Sequence, residues 1–131
     1  MHFTVYGHCV GKQRPRMANG HTYTPKATRD YENRVLDAFV MSENDLDYNG
    51  AFEAYITIKV PMPKGWSQRK KNEHMRSYPI DIRTPDLDNV AKSILDALNG
   101  LAYKDDKQVV SLSVSRVWGS EELVEVYLNN I

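Results

Sequence analysis

Residues 87–101 read LDNVAKSILDALNGL, with Leu87, Val90, Ala91, Ile94, Leu95, Leu98 and Leu101 at three- and four-residue intervals. That spacing gathers the apolar side chains on one stripe of a helix, and such a stripe must be covered by a sheet or by other helices. The Asn99-Gly100 pair closes it. Charge brackets this helix: Asp86 and Asp88 stand at its start, Asp105 and Asp106 follow its end, and Lys92 lies inside it. A fold built on this sequence has to bury one side of the segment and leave the charged positions near water.

The rest of the chain supplies a sheet. Phe52, Ala54, Ile56, Ile58 and Val60 alternate with Glu53, Tyr55, Thr57 and Lys59, the pattern of a half-buried strand, which Pro61 and Pro63 end. Residues 2–10 are rich in β-branched and aromatic types and stop at Gly11, so they read as a first strand. The segment KQRPRMANGH, with Pro15 and Asn19-Gly20, reads as a loop. Thr24 as N-cap and Pro25 at the first helical position begin a helix to about Ser42, with Tyr31, Val35, Leu36, Phe39 and Val40 at helical spacing. Ser67 caps a short basic helix that stops before Pro79, and 77–85 reads as an irregular lead-in. Asp88 is the expected cap of the central helix. Residues 109–118 and 123–128 read as strands joined through Gly119-Ser120 as a hairpin. The order β-α-β-α-α-β-β predicts an α+β fold: one domain over residues 1–131, a small mixed sheet covered by helices.

With 131 residues, a single domain of ordinary globular composition is expected. No apolar run is long enough to span a bilayer, and the N-terminus lacks the pattern of a secretory signal. Cys9 is the only cysteine, which excludes an internal disulfide and fits a reducing cytoplasm. The formal net charge of zero conceals a segregation: residues 1–29 hold five Lys/Arg and no acid, and 59–83 hold seven basic residues against two acids. Basic segments beside an acidic cluster suit a protein that holds a polyanion and uses its carboxylates for something else. Lys12, Arg14, Arg16, Arg69, Lys70 and Lys71 are the candidate phosphate contacts.

An Asp cap and an i,i+4 Asp88–Lys92 pair are ordinary helix stabilisers. The second Asp pair asks for more. A helix from Asp88 to Asn99 is roughly 18 Å long and the extended segment to Asp106 spans roughly 23 Å, so the chain can return Asp106 to the helix start. Carboxylates gathered there repel unless a proton or a cation bridges them. Oxygen ligands with His2, His8, His21 and His74 dispersed through the chain point to Mg²⁺ or Mn²⁺ rather than zinc. An EF-hand starting at Asp86 would need Gly and Glu where the chain has Ala91 and Ala97. DLDNVA also resembles the DxDx[TV] nucleophile motif of haloacid-dehalogenase-type phosphohydrolases, although IDIRTP precedes it in place of an apolar strand. That class is the competing enzyme reading.

Taken in order, KQRPRM, TYTP, PDLDNVAKSILDALNG and YKDDKQV resemble the RusA family of Holliday-junction resolvases, small dimeric Mg²⁺-dependent endonucleases often encoded by phages and prophages. The resemblance implies that Asp86, Asp88 and Asp106 are metal-binding catalytic carboxylates, that Asp105 is a fourth acid, and that Lys92 is an essential basic partner. It implies a homodimer making two symmetric cuts in a four-way junction in DNA recombination and repair, leaving 5′-phosphate and 3′-hydroxyl ends, with Mn²⁺ able to replace Mg²⁺. Some members carry Arg directly before the Asp motif, whereas this chain has Arg83-Thr84-Pro85. A non-catalytic DNA-binding module of the same fold is the alternative outside the enzymes.

Overall fold

The structure, a computed structural model, describes residues 1–77 and 85–131. Arg83 and most of the lead-in expected over 77–85 lie outside the described residues. The elements are β1 (His2–Tyr6), β2 (Arg16–Ala18), β3 (His21–Tyr23), α1 (Lys26–Met41), β4 (Phe52–Val60), α2 (Gln68–Arg76), α3 (Leu87–Ala97), β5 (Val109–Trp118) and β6 (Leu123–Asn130), with a 3-10 turn at Asp106–Gln108. The mixed α+β content matches the expectation. No helix among the described residues is long and apolar enough to cross a membrane.

Four strands form one sheet in the order β1-β6-β4-β5. β6 lies antiparallel to both β1 and β4, whereas β4 and β5 are parallel. The expected hairpin between the last two strands is therefore overturned: β5 and β6 sit on opposite sides of β4. The reason is visible in the connection, where the Gly119 N–H donates to the Val60 carbonyl at 2.9 Å, so the turn passes over the end of β4. A Cβ on Gly119 would stand 3.0 Å from the Lys59 Cβ, which is where a side chain would obstruct that crossing.

Alternation decides the two faces. Phe3, Val5, Phe52, Ala54, Ile56, Ile58, Val124, Val126 and Leu128 are buried on the inner face. α1 lays Thr28, Tyr31, Val35 and Phe39 on this layer, and α3 adds Val90, Ala91, Ile94 and Leu95. Val40, expected on the apolar stripe of α1, is instead 66% exposed, one residue beyond the buried Phe39. α2 buries none of its own residues; Trp66 beside it stacks on His74 (4.3 Å) and meets Trp118 edge-on (5.7 Å). Ser67 caps it as expected, accepting from the Lys70 N–H at 3.2 Å.

The caps of the other two helices differ from expectation by one or two residues. Pro25 itself occupies the cap position of α1, where its fixed φ suits the entry and its missing N–H is not needed. Asp86, not Asp88, is the N-cap of α3, and Asp88 lies in the first turn. The loop expected over residues 12–21 contains a second sheet, the hairpin β2–β3, turning at Asn19 (φ 51°) and Gly20 (φ 78°). Two residues of positive φ in succession make the tight turn that matches strand twist.

Beyond α3 the chain reverses at Gly100 (φ 80°) and Tyr103 fastens the return. Its hydroxyl donates to the Leu95 carbonyl at 2.6 Å, one of the last-turn acceptors that a helix leaves unpaired. Its ring packs against Phe52, centroids 5.5 Å apart. Tyr103→Phe is expected to keep the fold and lower its stability by about 1–2 kcal/mol, because a buried carbonyl loses its donor. Urea unfolding measures this, and an unchanged midpoint would show that the clamp is dispensable.

Candidate active site

Three of the sequence-selected residues share one groove. Asp88 and Lys92 face it from α3 and Asp106 from the 3-10 turn; Leu87, Ala91, Leu95, Leu112 and Val114 form its walls between α3 and β5. The i,i+4 spacing of Asp88 and Lys92 stacks them one turn apart on the exposed side of the helix. Leu112 and Val114 stand in register with Ala54 and Ile56, so they project from the inner face of the sheet toward α3.

The four acids are not gathered at one point. Asp86 lines a neighbouring cleft with His8–Gln13, Pro85 and Asn89. Residues two apart at a helix start diverge by about 200°, which separates Asp86 from Asp88. Asp105 is used locally: its Oδ1 accepts from the Lys107 N–H at 2.9 Å while Gln108 Oε1 accepts from the Asp105 N–H at 3.0 Å. The Lys107 N–H holds the Asp105 carboxyl below its ordinary value. Gln108 also donates to the Tyr48 and Gly50 carbonyls, both at 2.9 Å, anchoring the turn.

Asp106 reaches α3 further along than its start. Asp96, two turns beyond Asp88, is close enough to act on its carboxyl. Partial burial, followed by the nearby Asp96 and Asp105 carboxyls, raises its pKa above the ordinary value. Asp96 was not singled out in the sequence, although Asp88, Lys92 and Asp96 form one i, i+4, i+8 series.

Asp96 is in turn tied to the N-terminal loop. Lys12 Nζ lies 2.6 Å from Glu32 Oε1 and 3.4 Å from Asp96 Oδ2, with its side chain only 19% exposed. Burial opposes its charge, but Glu32 and then Asp96 outweigh that and hold Lys12 above its ordinary value. The loop is pressed onto α3: the Lys12 N–H donates to the Asn89 carbonyl at 2.9 Å. A Cβ on Gly11 would meet the Pro85 Cβ at 2.8 Å, so only glycine allows this approach. Arg116, also missed in the sequence, extends from β5 to donate to the Pro85 carbonyl just ahead of Asp86.

Among the other expected phosphate contacts, Arg14 and Arg16 are exposed and outside any ion pair among the described residues. Arg69 pairs with Glu73 at 3.3 Å, Lys70 lies over the Trp66 ring at 4.6 Å, and Lys71 is partly buried on α2.

The donors in the groove suit a hard cation, being carboxylate oxygens without His or Cys. Among the described residues no three His, Cys, Asp or Glu stand close enough together to hold a metal ion. An ion held by Asp88 and Asp106 would complete its shell with other oxygens, including water and substrate, which is how Mg²⁺ commonly binds in phosphoryl-transfer sites.

The family model described as Endodeoxyribonuclease RusA matches residues 7–129. The chain is also similar to the uncharacterized protein YqaN of Bacillus subtilis (strain 168), with 36% identity over 135 residues covering 98% of this chain and 95% of that protein. A match running from the end of β1 to the end of β6 takes in the groove, the ion-paired loop and the sheet that carries them. The chain belongs to the RusA family of endodeoxyribonucleases.

Proposed function

We propose that the protein is a divalent-metal-dependent endonuclease that resolves four-way DNA junctions as a homodimer, with Asp88 and Asp106 as metal ligands, Asp86 as a further ligand and Lys92 as the basic partner. The observation that carries the reading is the shared groove of Asp88, Lys92 and Asp106 on a chain of an endodeoxyribonuclease family. Resolvases of this family act on branched DNA and are generally metal-dependent. Mg²⁺ is the expected ion, with Mn²⁺ as its substitute, because all the donors are oxygens. When bound, the cation supplies Lewis acidity and an activated water for phosphodiester hydrolysis.

The chain's own groups orient the reaction. The Lys92 ammonium, one turn from Asp88, donates to a non-bridging phosphate oxygen and offsets charge that accumulates there. Asp105 keeps the 3-10 turn in shape so that Asp106 faces α3. Two symmetric cuts require two sites related by a two-fold axis, hence the dimer. The phosphohydrolase alternative would require a doubly wound parallel sheet; here the only parallel pair among the described residues is β4–β5.

Asp88→Asn is expected to reduce Mg²⁺-dependent nicking of a synthetic four-way junction about a hundredfold or more while binding in EDTA persists. Undiminished nicking would remove Asp88 from the site. Failure of the wild-type protein to nick any junction, with binding intact, would favour the non-catalytic module.

The Asp96 carboxyl raises the Asp106 pKa, so Asp96→Asn is expected to bring the Asp106 titration in metal-free protein closer to the ordinary carboxylate range, read by carboxyl carbon-13 NMR. Between the ordinary and the raised value the folded chain binds more proton than the unfolded chain. Asp106 therefore withdraws stability as pH rises through that window, and Asp96→Asn shrinks the loss. An unmoved titration would place the cause in burial and Asp105.

A further inference from the structure

The β2–β3 hairpin stands apart from the core. Among the described residues β2 and β3 pair only with each other, and every residue from Gln13 to Tyr23 is exposed. An isolated two-stranded ribbon is marginal in water, so its shape rests on the Asn19-Gly20 turn and on a clamped root. The root is well fixed: Lys12 is bonded to Asn89, the Gln13 N–H donates to Thr28 Oγ1 at 3.4 Å, and Pro25 is buried. It borders the cleft lined by Pro85, Asp86 and Asn89, so the ribbon projects from the edge of the cleft that neighbours the groove.

Its side chains fit a polyanion with an apolar interior. Met17 is 74% exposed and Tyr23 45% exposed, a cost to solubility that no core contact offsets. Register pairs Arg16 with Tyr23 and Ala18 with His21 on one face and Met17 with Thr22 on the other. Arg14, Arg16, Lys26 and Arg29 flank the ribbon, all exposed, and residues 1–29 contain no acid.

We propose that β2–β3 is a DNA-gripping ribbon that lies in a groove of the duplex arm beside the scissile phosphate. Arg14 and Arg16 meet the phosphates at the groove rims, and Met17 makes the apolar contact inside. The inference rests on the endonuclease reading above and adds the element that grips the substrate. The major groove admits a two-stranded ribbon, and apolar side chains of this kind can press on bases that arginines hold in register. A second copy is the poorer occupant, because an isologous contact across the ribbon would bring two basic, acid-free segments together.

The test is binding of a four-way junction in EDTA at several salt concentrations, with hydroxyl-radical footprints, for wild type, Met17→Ser and the double variant Arg14→Ala/Arg16→Ala. All three side chains are exposed, so the variants keep the fold. The ribbon predicts a slope of log affinity against log salt reduced by about two per protomer, about four for the dimer, in the double variant. It predicts about tenfold weaker binding for Met17→Ser and loss of one protected patch on an arm. Unchanged slope, affinity and footprint while the wild type binds would overturn the ribbon and leave the nuclease reading standing. A wild type that binds no junction would overturn both. A Met17→Ser protein that sediments as monomer beside a dimeric wild type would assign the ribbon to a second copy and also overturn the proposal.

Discussion

The rest of the molecule depends on the burial of one stripe of α3. Val90, Ala91, Ile94, Leu95 and Leu98 are sealed against the sheet and α1, and each large side chain among them contributes roughly 1.5–3 kcal/mol by leaving water. A helix has no freedom to turn its polar side independently of its apolar one. Once the stripe is seated, Asp88, Lys92 and Asp96 must lie along the opposite margin, and Asp88 and Lys92 face the groove beside β5. The hydrophobic core thus sets the orientation of the charged residues, and the return segment clamped by Tyr103 adds Asp106 to the same margin.

A second, electrostatic tie links that helix to the N-terminal loop. Lys12 is shared between Glu32 on α1 and Asp96 on α3, and its partial burial screens the pair less than a surface ion pair. This places the ammonium in competition with the phosphate role expected for it from sequence, since the charge is already matched by two carboxylates. It also joins the Asp96–Asp106 contact to the root of the ribbon, so three segments distant in sequence meet at one lysine.

Much of this was legible where periodicity is strong. The alternation over 51–60 and the three-four spacing over 87–98 each identify an element because every residue votes for the same period. The pairing of β5 was not, since a Gly-Ser connection is compatible with a hairpin or with a passage over β4. Asn19-Gly20 identifies a turn, but the three-residue strands beside it are too short to show alternation. The acids were recognisable as a set, yet their divergence follows from Asp86 standing at the cap: a shift of the helix start by two residues decides which acids share a face. Asp96 was hidden because a polar residue on an exposed helix face needs no explanation until Asp106 is seen to approach it.

The parallel pairing of β4 and β5 has consequences for access. Had β5 paired with β6 as a hairpin, β4 could have become an edge and the inner-face positions of β5 could have been enclosed on both sides. Leu112 and Val114 contribute one wall of the groove, and among the described residues no further strand follows β5 in the sheet. Arg116, two residues on along the same face, holds the Pro85 carbonyl and so fixes where α3 begins relative to that wall. Among the described residues the groove that holds Asp88, Lys92 and Asp106 therefore opens beyond β5, while the core on the other side stays closed. The position of one strand in the sheet order thereby turns a buried helix with a charged margin into an open groove.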